Sequence, residues 1–385
     1  MRKGIMLFVV ILLWGCNLLT TPPPDDSLPP VTETNMKLVW EIPYESAGSG
    51  INASPLILGD SLVIMSAGKE IFAVEQNTGK IRWKYRESDI TCSQTKEYAT
   101  DGVRIYTTQV EDVRAINISD GSQAWLTPMK NERGAFWTNS MRLNEDKLFV
   151  DGNYTTYSLN KHSGTILWST FLYDYIGDPL YYNNSIIVSG GRNRYDSSKT
   201  IIGAIDSIYS LNANNGEKIW SKGVRGDGPL HKMVVDDGII YGGTYFTWSS
   251  GSFEARNATT GELVWSYYTP NEAWSYNDCI VVDDKVIANC RLGNNVYAFN
   301  KLTGQLFWRI SLPGDPLQEK QNYYNGYVYI TQGWKLFVIN PDNGQIIYSL
   351  KPKGRSLVTI AVGNGKVFVC GHPTLQCYET YKPEK

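Results

Sequence analysis

Three histidines, scattered carboxylates and six cysteines are the side chains that could carry polar chemistry in this 385-residue chain. His162 lies in a Lys-His-Ser-Gly turn and His372 in a Gly-His-Pro-Thr turn, settings that suit solvated loop residues. His231 precedes a short apolar run. Aligning the turns that follow such runs sets it level with Ser54, Thr95, Ser140, Asp178, Asp278, Glu319 and Thr359. Within that level Asp178, His231, Asp278 and Glu319 are hard donors able to bind a cation or a polar ligand. A water-filled channel lined with polar groups accounts for the same composition. No Ser-His-Asp arrangement and no His-Glu-x-x-His zinc motif stands in the sequence, so hydrolytic chemistry has no support there.

Two further sets invite chemistry of other kinds. Cys279 and Cys290 flank the turn Asp283-Asp284, and Cys370 and Cys377 flank Gly371–Thr374. Each pair could face across antiparallel strands at bridging distance, as export would permit; alternatively Cys377 packs beneath Trp40. Cys92 is left as a buried thiol. Aromatic and arginine residues gather in the longest interruptions of the pattern: Phe136, Trp137, Tyr175, Arg192, Arg194, Tyr195, Tyr245, Phe246, Trp248 and Trp274. Rings with arginine are enriched at binding hot spots, so this set predicts a partner-binding face.

The elements that must hold these residues follow from one repeated stretch. Val296–Trp308 runs as a short apolar segment, a turn with Gly304, and a second apolar segment ending in Trp308. The same eleven-residue template recurs at Ala73–Trp83, Ala115–Trp125, Ser158–Trp168, Ser210–Trp220, Ala255–Trp265 and Val338–Tyr348. Its closing aromatics are spaced by 42, 43, 52, 45, 43 and 40 residues. Short strands at a period of 40–45 residues are the mark of a β-propeller with four strands, A to D, per blade. In the sixth unit the strands are expected at Asp278–Val282, Val286–Cys290, Val296–Asn300 and Gln305–Ile310. After Tyr348 three strands remain without a fourth, while Lys37–Ile42 reads as a D strand without its A, B and C. Pairing the two gives eight blades over 36–385 and leaves no open edge. The wide 52-residue step marks an insertion at Gly190–Ile208 and a smaller one falls at Gly242–Phe253, both between strands B and C, on the face opposite the Thr-Gly turns.

Ahead of the propeller, Arg2 and Lys3 precede an apolar run from Ile5 to Trp14 that is too short to span a bilayer and suits a secretory signal. It ends Leu13-Trp14-Gly15-Cys16, which resembles a bacterial lipobox with Cys16 as the lipidated residue. Residues 1–15 are therefore expected to be a lipoprotein signal peptide and 16–35, rich in Pro, Thr and Asp, a flexible tether. The net charge of −2 and the lack of any basic block argue against nucleic-acid binding.

The repeated segment Ala-x-x-x-x-Thr-Gly-x-x-x-Trp, carried by Ala73, Thr78, Gly79 and Trp83 and again by Ala298, Thr303, Gly304 and Trp308, resembles the tryptophan-docking motif of the pyrroloquinoline-quinone-like β-propeller repeat family. The resemblance implies an all-β, eight-bladed propeller whose Trp residues stack between the small first residue and a Gly peptide of a neighbouring blade. Tyr348, Ser158 and Ser210 depart from the motif. Two functions come with the family. Quinoprotein dehydrogenases hold pyrroloquinoline quinone and Ca²⁺ in the central funnel, are much longer and usually carry vicinal cysteines, which this chain lacks. Non-catalytic lipoproteins scaffold the machinery that assembles outer-membrane β-barrels. The expectation is thus a monomeric, non-enzymatic propeller, lipid-anchored in the bacterial envelope at the outer membrane. It binds envelope proteins and needs no cofactor or metal. A quinone-dependent periplasmic dehydrogenase and a glycan-binding surface lipoprotein are the alternatives.

Overall fold

The computed structural model describes residues 35–44, 53–67, 70–86, 97–108, 112–129, 138–152, 154–172, 175–195, 201–225, 228–244, 250–270, 276–290, 294–314, 321–353 and 356–383. Signal, lipidation and tether residues 1–34, Cys16 among them, lie outside that set, as does Cys92.

The described residues form eight four-stranded antiparallel sheets. Blades 1 to 7 occupy 56–86, 98–128, 138–171, 175–223, 230–270, 276–311 and 321–350, each with its strands in chain order. Blade 8 takes its inner three strands from 356–379 and its outer strand from Leu38–Pro43. Trp40 stands opposite Cys377 in that closing pair. The chain's first strand thus completes its last sheet, as the orphan strand at Lys37–Ile42 predicted. In blade 6 the observed strands, Tyr276–Val282, Lys285–Cys290, Asn295–Asn300 and Leu306–Ser311, match the expected ones to within two residues.

Strands B and C are apolar on both faces because each sheet is sandwiched between two others. The core is accordingly not one mass but eight clusters, one per seam. One joins Tyr241, Phe253 and Trp265 of blade 5 to Cys279, Val286 and Tyr297 of blade 6. Another joins Phe149 and Trp168 of blade 3 to Ile186, Val188 and Leu211 of blade 4.

The repeated template builds these seams. Each Trp faces the small residue of its own strand C, as Ala298 faces Trp308, and lays its ring on a glycine of the next blade. A Cβ on Gly304 would come within 2.6 Å of Trp265, and one on Gly121 within 2.7 Å of Trp83. These glycines also sit at positive φ, +73° for Gly304, so both the turn and the close approach require Gly. Six indole N–H groups then donate to a backbone carbonyl in the same turn, at 2.7–3.1 Å: Trp40 to Gln76, Trp83 to Ile118, Trp125 to Lys161, Trp168 to Ala213, Trp265 to Lys301 and Trp308 to Pro341. Ser158 and Ser210 keep the same geometry for Trp168 and Trp220.

Tyr348 is the exception with a reason. The blade it must dock on has no C-to-D turn, because its strand D is Leu38–Pro43 and not a continuation of strand C. Its hydroxyl instead donates to the Asn35 carbonyl at 3.0 Å, and its ring packs 5.9 Å from Tyr381. Asn35 in turn accepts from the Lys382 N–H at 3.0 Å and donates to the Lys382 carbonyl at 2.6 Å.

The insertion expected between strands B and C of blade 4 is present, and it extends those strands. The insertion in blade 4 is not a free loop: strands Ser185–Tyr195 and Ile201–Asn212 continue as one long hairpin, paired out to Tyr195 and Ile201.

Candidate functional site

Strand A contacts strand A of the neighbouring blade at seven of the eight seams, around the centre of the ring. In blades 4 and 5 this strand carries a β-bulge, between Gly177 and Leu180 and between His231 and Val234. Each bulge sets an extra residue against one residue of strand B and re-aims side chains. Asp178 and Lys232 occupy corresponding places in the two bulges, and both are held at positive φ, +53° and +45°. Such strain in residues with side chains persists only where the surroundings fix it.

What fixes it is a three-residue ion cluster. Asp178 Oδ2 lies 2.9 Å from His231 Nε2, and Asp178 Oδ1 lies 3.3 Å from Lys232 Nζ. The Lys232 backbone N–H also donates to Asp178 at 3.1 Å. Burial alone would raise the Asp178 carboxyl, but His231 and Lys232 together hold it well below the ordinary range. Burial likewise opposes the charge on Lys232, and Asp178, then Glu97 and Asp278, outweigh it and hold the ammonium protonated above its ordinary value. Lys232 is therefore a resident cation among three carboxylates.

The other two carboxylates are also engaged. Asp278 accepts the N–H of Cys279 and of Gln321, each at 3.0 Å. Glu97 accepts the Met141 N–H at 3.3 Å and lies 3.6 Å from Arg142. Across the seam between blades 8 and 1 the hydroxyls of Ser54 and Thr359 pair with each other. Among the described residues this donor set fits a calcium–quinone centre poorly: the oxygens of Asp178 and Asp278 already accept N–H groups, and the Lys232 ammonium offsets part of their charge.

Asp151 is the contrasting carboxylate. It is fully buried opposite Ser140 on one side and Thr156 on the other. Among the described residues neither of its oxygens has a hydrogen-bond partner of ordinary geometry, nor do the hydroxyls of Ser140 and Thr156. Desolvation drives its carboxyl well above the usual range, a weaker pull from Thr156 opposes this, and nearby Asp178 adds to it. Two aspartates in adjacent blades are thus driven in opposite directions, one by partners and one by their lack.

Of the residues singled out in the sequence, Asp178 and His231 meet directly, and Asp278 joins them through the charge of Lys232. Glu319 lies outside the described residues, and so do Phe136, Trp137, Tyr245, Phe246, Trp248 and Trp274. Tyr175, Arg192, Arg194 and Tyr195 stand on described strands of blade 4, but their side chains lie outside the description. Lys232 escaped the sequence reading because nothing in local alternation announces a bulge. His162 is exposed, 3.4 Å from Asp146, in a surface turn.

The two disulfide expectations are corrected. Cys279, Cys290, Cys370 and Cys377 are buried thiols, none of them bridged. Register is the reason: Cys279 faces Ala288 while Cys290 faces Tyr276, and Cys370 faces Leu375 while Cys377 faces Phe368. Cys377 packs beneath Trp40, the alternative weighed for it. Burial pushes the thiols of Cys370 and Cys377 up to about 12.

Comparison with known proteins adds a family and several relatives. A family model described as outer membrane protein assembly factor BamB matches residues 31–158, 135–284 and 292–379. A curated relative of that name from Yersinia pestis is 23% identical over 388 aligned residues, covering 90% of this chain and 91% of the relative. A tetrathionate hydrolase from Acidithiobacillus ferrooxidans is 21% identical over 334, covering 81% of this chain; the chain spans only 60% of that protein's length. Among solved structures, BamB from Moraxella catarrhalis superposes with a TM-score of 0.66 at 16% identity, covering 90% of this chain and all of that one. A quinohemoprotein alcohol dehydrogenase from Comamonas testosteroni reaches 0.69 at 13%, covering 91% and 78%. At these identities the structural likenesses establish the fold alone.

Proposed function

Because the chain belongs to the family described as outer membrane protein assembly factor BamB, we propose that it is a non-enzymatic scaffold of the bacterial envelope. In this reading it is made with a signal peptide over 1–15, lipidated at Cys16 and tethered through 16–35 to the outer membrane. It binds envelope proteins there during assembly of outer-membrane β-barrels. The partner face is the one carrying Phe136, Trp137, Tyr175, Arg192, Arg194, Tyr195, Tyr245, Phe246, Trp248 and Trp274.

One observation supports the non-enzymatic part: the oxygens of Asp178 and Asp278 are engaged from within by Lys232, His231 and backbone N–H groups. A funnel built for a quinone and Ca²⁺ needs those oxygens open. Matching in length supports the same reading, since the chain covers 91% of the BamB relative and 60% of the hydrolase. The test is detergent extraction of the native protein followed by affinity capture. Recovery of an outer-membrane assembly protein in stoichiometric amount is expected, and capture of nothing from the envelope would sink the proposal.

The hydrolase match gives an enzymatic reading one specific support. Tetrathionate turnover, or dye-linked oxidation of alcohols after addition of quinone and Ca²⁺, would establish it in place of the scaffold. A polysaccharide array addresses glycan binding by the same aromatic face.

A further inference from the structure

Where the chain enters the propeller, the rim carries a basic cavity that the scaffold reading leaves unused. Its volume is about 330 Å³, and Lys37, Lys335 and Lys351 line it together with Leu38, Tyr348 and Ser349. Among the described residues the lining holds no carboxylate. Among the described residues none of these three lysines forms an ion pair, while the acids nearby are taken: Glu41 by Lys353 at 3.1 Å and Glu379, whose charge Lys37 also feels, by Lys382 at 2.7 Å. Three lysines without an ion-pair partner among the described residues therefore border one hollow in a chain whose net charge is −2. Such a hollow recognises an anion with several acceptor oxygens, and a phosphate group has that chemistry.

Apolar side chains border the same place. Trp334 is 49% exposed, with Lys351 Nζ 6.0 Å from its ring, and Leu38 and Val39 are 39% and 40% exposed. Tryptophan beside lysine, with aliphatic residues next to them, is the composition of a protein surface seated at a bilayer interface. Position supplies the last argument. Asn35 belongs to the cavity lining, so the chain's N-terminal residues lead away from this spot. Fully extended, the residues between Cys16 and Asn35 reach at most roughly 65 Å.

We propose that this cavity binds the phosphate of an anionic phospholipid headgroup in the membrane that holds the anchor, with Trp334, Leu38 and Val39 entering the interface. The proposal rests on the lipid-anchor part of the function proposed above. It makes the anchor one of two membrane signals, the other being a basic site that sets which side of the propeller faces the lipid.

The full chain, reconstituted into vesicles bearing photoactivatable phosphatidylglycerol, is expected to crosslink at peptides containing Trp334–Lys335 and Lys351. Photoactivatable phosphatidylcholine should leave them unlabelled. The triple variant Lys37→Gln, Lys335→Gln, Lys351→Gln should lose at least about tenfold in crosslink yield, since each basic residue near a membrane surface contributes roughly fivefold in binding. A control triple at the exposed Lys80, Lys84 and Lys218 should not change it, and unaltered thermal midpoints show that both triples are folded. Equal labelling by the two lipids, or labelling that survives the triple variant, overturns the site. Loss of labelling on adding inorganic phosphate assigns the cavity to a free ion and overturns the lipid source. The intact mass of the native chain reports lipidation separately: an unlipidated Cys16 with crosslinks at the cavity refutes the anchor alone, and a lipidated Cys16 without them refutes the site alone.

Discussion

The Tyr348 hydroxyl reaches the Asn35 carbonyl across 313 positions of sequence. It does at the last seam what an indole N–H does at the others, with the extra reach of a phenol replacing a turn that the chain ends interrupt. Tyr348→Phe removes this bond and little else, and is expected to cost about 1 kcal/mol. Asn35→Ala removes the same acceptor's side-chain clasp on Lys382 and should cost a similar amount. Asn35→Ala keeps the backbone carbonyl that Tyr348 donates to, so the coupling runs through the position of that carbonyl: with the clasp on Lys382 gone the bond is weaker, and the double variant should fall short of the sum, measured as a double-mutant cycle from denaturant midpoints. Strict additivity would show that the latch is not a unit.

Gly304 and Gly102 separate backbone strain from crowding. Gly102 has φ +84° with nothing within 4 Å of a built Cβ, so Gly102→Ala should cost about 1–2 kcal/mol for the left-handed backbone alone. Gly304→Ala adds a 2.6 Å clash with Trp265 and should cost roughly 3 kcal/mol or more. Equal costs would mean that the indole yields and that docking is not tight.

Asp151 and Asp178 predict opposite responses to acid. The Asp151 carboxyl is raised, so its favourable contribution is complete below the unfolded carboxylate value and is lost as pH rises through the folded one. Asp151→Asn should therefore stabilise the protein near pH 7, by roughly 1–2 kcal/mol on the scale of an unpaired buried polar group, and have little effect near pH 4. The Asp178 carboxyl is lowered, so its contribution is complete above the unfolded value and is lost as pH falls through the folded one. Asp178→Asn should destabilise near pH 7 by roughly 1–3 kcal/mol and progressively less in acid. Thermal midpoints across that range decide both; a destabilised Asp151→Asn at pH 7 would mean that its carboxylate has a partner.

Lys232→Ala tests the resident cation. It leaves Asp178, Asp278 and Glu97 around one uncompensated place, and added Ca²⁺ should raise the melting temperature of the variant while leaving the parent unchanged. A calcium response in the parent would instead favour the quinoprotein reading.

The four thiols of Cys279, Cys290, Cys370 and Cys377 should resist iodoacetamide in the folded protein and react fully on unfolding without any reductant, read by peptide mass. Label appearing only after reduction would restore the bridges that strand register argues against.

Much of this architecture was legible in the chain because the seams repeat. The glycine and the aromatic four residues on recur in every complete unit, and the surplus strand at Lys37–Ile42 matched the missing one at the other end. The centre of the ring was legible only in part. Asp178 and His231 could be aligned from the turns that follow them, but Lys232 sits in a bulge that depends on pairing with Gly242, and pairing is not written in local alternation. The same blindness to register made plausible bridges of cysteines that face other residues, and left the blade 4 insertion without strands, which its mixed Gly, Arg and Asn composition hides.

The closing of blade 8 by Leu38–Pro43 also fixes an order of events. Of the strands of the propeller this one is the first in sequence and its partner, Thr374–Glu379, the last, so the circle cannot shut until both are present. Until then Leu38, Val39 and Trp40 have an incomplete sheet, and two strand edges stay open to stray pairing. A chain that lacks Thr374–Glu379 keeps seven whole blades and still lacks the clasp. Quality control therefore has a single feature to inspect, whether the ring has met its own end.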